Sequence, residues 1–252
     1  MSTELLLVLK KELYRTLEIK FSEVIEAQFD KAIDAAVHGN ARAAYYNYIR
    51  LSLLVRELDL LKQSQPQIYQ SLARDLIDRK DDRGGFHGAR FEIHVAEQFV
   101  ARAIDFCKQE SPDFLIGNIS AECTSSRLEG GRTDARRKLS DKIASKSSKV
   151  YAQKSCFLMV DVTNLFFHEA SEGWQKLYDD LMQDTKKSIS TTGFGAIGLF
   201  LYYHSQMRPE QSSYANGIVV CRAASPELKA FAHKHYPNNG FSIKGPAVAK
   251  EG

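Results

Sequence analysis

Long apolar runs are missing from this sequence. The longest nearly unbroken one, residues 194–203, falls far short of the roughly 20 residues that a membrane-crossing helix needs, so no membrane contact is expected. No basic segment precedes the apolar residues near the start, where Glu4 stands instead, and no cleaved leader is expected. The four cysteines, Cys107, Cys123, Cys156 and Cys221, stand far apart. No pair has the C-x-x-C spacing of a thiolate zinc site or a dithiol redox site. Buried thiols in a reducing, cytoplasmic setting are the expectation. The histidines show no ligand spacing either: His233 and His235 are two apart, and His168-Glu169 lacks the second histidine of H-E-x-x-H. No serine has the strand–elbow–helix setting of a hydrolase nucleophile. The net charge is only +3, so any polyanionic partner must be argued from where the charge sits.

What is present is the composition of a globular chain, 44% hydrophobic and 26% charged, with two kinds of periodicity. Residues 3–80 read as helices. Leu5, Leu9, Leu13 and Leu17 fall four apart, and Phe21, Val24 and Ile25 continue the stripe to a stop at Gly39-Asn40. A second helix carries Tyr45, Tyr48, Leu51, Leu54, Val55, Leu58 and Leu61, and Pro66 opens a third. The polar cluster 78–85 ends this region, which sets an N-terminal helical region at 1–82 and an α/β core at 83–240. In the core, helices are expected over 89–101, 134–152, 172–189 and 225–235. Strands are expected over 103–107, 112–116, 119–123, 157–162, 194–203 and 217–221. Residues 241–252 are expected to form a loose tail. The order predicts a mixed sheet flanked by helices. The N-terminal helices offer enough apolar surface for a homodimer or a protein partner, although core packing is the preferred reading of it.

The informative stretch runs from Pro112 to Thr124. Gly117-Asn118 is a hairpin turn signal, and a two-residue loop there sets Asp113 nearly opposite Glu122. Two carboxylates held together repel one another unless a cation lies between them, and an all-oxygen pair suits Mg²⁺ or Mn²⁺. Arg127, Arg132, Arg136 and Arg137 follow in a glycine-bearing loop and the start of the next helix. Their placement suits contact with a phosphate backbone. In that helix Leu139, Ile143 and Val150 share one face. At about 100° per residue, Lys146 lies roughly 40° from its centre, with Lys142 and Lys149 further round.

This order resembles the PD-(D/E)XK nuclease superfamily over about 80 residues: Glu92 or Glu97 on a helix, Pro112-Asp113, Glu122-Cys123-Thr124, a helix and a strand. The resemblance implies a restriction-endonuclease-like fold and metal-dependent phosphodiester hydrolysis, of DNA more than RNA. Asp113 and Glu122 would be the metal ligands. Glu92, in the turn that opens its helix, is preferred to Glu97 as a third acid. Thr124 stands where the family has lysine, and Lys146 is the first choice for a displaced replacement. Lys142 and Lys149 join Arg127, Arg132 and Arg136 as candidate nucleic-acid contacts. A binding or scaffold protein of the same fold without catalysis is the alternative. Gly193-Phe-Gly195-Ala-Ile-Gly198 matches G-x-G-x-x-G, but it follows a helix and leads into a strand, the reverse of a dinucleotide loop.

Overall fold

The computed structural model describes residues 2–78, 85–126, 134–166, 173–204, 212–237 and 240–244. The chain forms two compact units, Met1–Asp105 and Phe106–Gly252.

The first unit is helical: α1 (Thr3–Leu17), α2 (Glu23–Val37), α3 (Ala41–Ser64), α4 (Pro66–Asp78) and α5 (Gly85–Ala101). Side-chain caps start three of these. Ser2 accepts from Leu5 N–H, Ser22 from Ile25 N–H and Asn40 from Ala43 N–H, each satisfying a donor that the first turn leaves open. The apolar stripe that predicts one helix up to residue 38 is divided in two. Glu18 enters the left-handed region (φ 57°) and ends α1, and Ser22 then opens α2. Phe21, expected in the stripe, falls in this break and is 63% exposed; Leu5 is also exposed. Across the break Tyr14 donates to Glu26 (2.6 Å), with Lys10 on the same carboxylate. Long α3 is the axis of the unit, packing on α1, α2, α4 and α5. The sequence sets a boundary at 82–83, ahead of α5, whereas by its contacts α5 goes with the helices before it.

The second unit is a mixed α/β structure. Its seven strands, among the described residues, are β1 (Cys107–Lys108), β2 (Phe114–Ile116), β3 (Ile119–Ser125), β4 (Cys156–Asp161), β5 (Ala196–His204), β6 (Ser212–Val220) and β7 (Gly240–Lys244). They lie side by side in chain order. The β3–β4 and β4–β5 pairs are parallel and the others antiparallel. Each parallel pair is joined through a helix, α6 (Ala135–Ser147) and α7 (Trp174–Ser188), as parallel strands require. Every residue of β4 is buried, as a strand between two parallel neighbours should be. Met182 and Tyr178 of α7 lie over Gly217, on the face that also carries Glu122 and Thr124. Helix α8 (Pro226–His235) covers the opposite face, where Phe231 and Tyr236 meet Phe157.

Several elements differ from the sequence expectation. The strand expected at 103–107 is reduced to Cys107–Lys108, after Ala103 at φ 51°. The helix expected to reach 152 ends at Ser147, so Val150 is 94% exposed instead of apolar-face packing. β6 begins five residues before the expected start at 217, and residues 241–244 of the expected loose tail pair with it as part of β7.

Candidate active site

The hairpin forms as its turn demands. Ile116 pairs with Ile119 around Gly117, whose φ of 57° glycine adopts without a Cβ penalty. The register Phe114↔Ala121, carried one residue further, sets Asp113 against Glu122 on one face of the sheet. Both acids are buried. Asp113 Oδ2 accepts from the Cys123 N–H at 2.7 Å, and Lys108 Nζ lies 3.7 Å from Oδ1. Glu122 Oε1 accepts from Lys146 Nζ (2.5 Å) and from the Tyr151 hydroxyl (2.8 Å). Both donors go to Oε1, and Oε2 takes no hydrogen bond from the described residues.

Lys146 therefore reaches the acid from the helix after β3, as its position on the helical wheel anticipates. Thr124 is two residues beyond Glu122 on the same face, and buried. Its hydroxyl carries no charge, so the cation beside Glu122 is Lys146. Tyr151 was not singled out from the sequence, because a helix running to 152 turns it away from the apolar face; α6 in fact ends at Ser147, and Tyr151 reaches Glu122 from beyond it. Burial pushes its pKa up first, the hydrogen bond to Glu122 adds to this, and the charges of Glu122 and Asp113 add more. Burial likewise pushes the Cys156 thiol up to about 11, with both carboxylates contributing. Two side chains thus feel both acids at once, which is what a shared site requires.

Glu92 is buried on α5 of the helical unit, and so is Glu97; neither lies on an exposed helix face. Arg136 makes a two-pronged pair with Asp184 of α7 (2.6 and 2.8 Å). Lys142 is half-buried on α6, and Lys149 is exposed just past its end. Arg127 and Arg132 lie outside the described residues. Cys123, Cys156 and Cys221 are buried, as expected of structural thiols, whereas Cys107 is exposed. The glycines of the G-x-G-x-x-G match lead into β5. A Cβ on Gly195 would lie 2.0 Å from the Lys154 carbonyl oxygen, so close backbone packing accounts for that glycine.

Sequence spacing also missed a cluster in the helical unit. Glu57 of α3 and His94 and Glu97 of α5 are all buried, with His94 Nδ1 2.6 Å from Glu57 Oε1. Glu57 is 37 residues from His94, and no short-range pattern connects them. Among the described residues no helix is long and apolar enough to cross a membrane.

No protein-family model matches the chain, and a comparison with curated proteins finds no match. The functional argument therefore rests on the geometry.

Proposed function

We propose that the chain is a metal-dependent phosphodiesterase of the PD-(D/E)XK type, with a restriction-endonuclease-like second unit, cutting nucleic acid and DNA more than RNA. The observation that carries this is Lys146 on Glu122. A sheet acid set against Asp113 receives its cation from the next helix, two residues short of the position where threonine replaces lysine. The donors fit a hard divalent ion: two carboxylates on one face, with Glu122 Oε2 turned to no donor among the described residues. Asp113 and Glu122 would hold Mg²⁺ or Mn²⁺, which when bound polarises a phosphoryl oxygen and acidifies an attacking water.

Lys146 keeps a fixed positive charge where negative charge develops on the phosphate, and the Glu122 carboxylate holds it there. Tyr151 steadies that carboxylate. Its raised pKa keeps it protonated at neutral pH, so it acts as a donor and not as a base. Lys142, Lys149 and the arginines of the preceding loop supply sequence-blind backbone contacts. For Arg136 such a contact means giving up Asp184. A protein partner or second copy would meet α1, α2 and the break between them, where Leu5, Val8, Phe21 and Val37 are exposed.

One observation favours a second assignment, a nucleic-acid-binding or scaffold protein without catalysis: Lys108 and Lys146 already balance the charges of Asp113 and Glu122. Cleavage separates the two. Single- and double-stranded DNA and RNA are incubated with Mg²⁺, Mn²⁺ or EDTA, using wild type, Asp113→Ala, Glu122→Gln and Lys146→Met. The nuclease requires cutting that EDTA stops and that each substitution slows about 100-fold or more. A folded wild type that cuts none of these substrates but retains DNA in a salt-dependent binding assay is the binding protein.

A further inference from the structure

Glu57, His94 and Glu97 bring two carboxylates and an imidazole together inside the helical unit. His94 and Glu97 are three apart on α5 and so share a face, and Glu57 comes from α3. One ligand atom from each lies within 4.8 Å of the others, and the residues are 1%, 2% and 8% exposed for Glu57, His94 and Glu97 respectively. A hydrogen bond between His94 Nδ1 and Glu57 Oε1 accounts for two of these atoms. It leaves two facts unexplained. Glu57 Oε2, on the same carboxylate, is enclosed with no hydrogen-bond partner. A second acid, Glu97, is drawn to the same place. Enclosing a carboxylate oxygen with nothing on its lone pairs costs about 1–3 kcal/mol or more. A bound cation removes that cost.

We propose that Glu57, His94 and Glu97 form a binding site for a divalent transition-metal ion. Two carboxylate oxygens and one imidazole nitrogen, without thiolate, suit Zn²⁺, Mn²⁺ or Fe²⁺ and not a soft monovalent ion. The nitrogen donor sets this site apart from the all-oxygen pair on the hairpin. Its surroundings are those of a held ligand set. Gln98 Nε2 donates to Glu97 Oε2 at 2.8 Å, and the Phe91 ring stacks on His94 with centroids 6.3 Å apart. Outer contacts of this kind fix the orientation of ligating side chains. The site lies in a helical interior and ties α3 to α5, so the ion's role is to stabilise the unit.

The test uses the full chain, stripped with EDTA, dialysed, given Zn²⁺ alone and passed through a desalting column before metal analysis. Wild type, the Asp113→Ala/Glu122→Ala double variant, His94→Gln and Glu97→Gln are compared. The site requires about one zinc per chain in the first two, with Tm raised by several degrees. His94→Gln and Glu97→Gln should lose affinity at least tenfold while keeping their helical circular dichroism. Folded wild type that retains no zinc and shows no Tm shift overturns the proposal. So does full retention by both single variants. Should the single variants not fold, imidazole ¹⁵N spectra of the histidine-labelled double variant decide. A nitrogen shifted by one equivalent of zinc supports the site, and an unchanged spectrum overturns it.

Discussion

Replacing Lys146 by methionine keeps most of the side chain's length and removes its charge. In the wild type the ammonium sits 2.5 Å from Glu122 Oε1, with the lysine side chain 25% exposed and the glutamate 6%. Breaking a fully buried pair by removing one partner costs about 3–5 kcal/mol. The partial exposure of Lys146 and the remaining Tyr151 hydrogen bond reduce this to about 2–3 kcal/mol. For a chain of this size that lowers Tm by roughly 5–10 °C. Glu122→Gln keeps an acceptor for Tyr151 and removes the charge that Lys146 needs, so the double variant should be less destabilised than the sum of the two. A coupling of about 1–2 kcal/mol is expected. Urea unfolding of the four proteins, followed by circular dichroism, measures it. If Lys146→Met unfolds within about 0.5 kcal/mol of wild type, as surface substitutions usually do, the lysine is in solvent. The cation assigned to Glu122 is then absent.

Gly195→Ala should cost about 3 kcal/mol in the same unfolding assay, because the new methyl meets the Lys154 carbonyl oxygen and backbone must move. Tyr178 is buried, donates to the Leu199 carbonyl at 2.7 Å and has a raised pKa, chiefly through burial. A raised folded-state pKa gives stability that is whole below about pH 10 and lost as pH climbs toward the folded value. Tyr178→Phe should therefore flatten the fall in stability above pH 10, at a cost of about 1 kcal/mol at neutral pH. In thiol labelling at pH 8, exposed Cys107 should react fast and Cys156, held near 11, last; Cys107→Ser should abolish the fast phase.

The hairpin was legible because its information is local. Gly117-Asn118 sets the loop length, and a two-residue loop sets the register, so Asp113 and Glu122 follow from counting. Lys146 was legible for the same reason, since the offset from Leu139 and Ile143 places it on the face toward the sheet. What was lost depends on the rest of the fold. Val150 has the periodicity of α6 but comes after its end. The break at 18–22 interrupts an apolar stripe that continues in the sequence, and only the capping serine, Ser22, marks it. β7 is short and exists by pairing with β6. Glu57, His94 and Glu97 meet only because α3 and α5 pack together, and helix packing across 37 residues leaves no mark on spacing.

The sheet has the same strand order in space as in the chain. During synthesis each strand emerges with its neighbour already made, and no gap waits for a later segment to fill it. Growth at a single advancing edge keeps the number of unpaired backbone rows small throughout translation. Removing β7 and then β6 would take edge strands one at a time from the parallel β3–β4–β5 centre that carries Glu122.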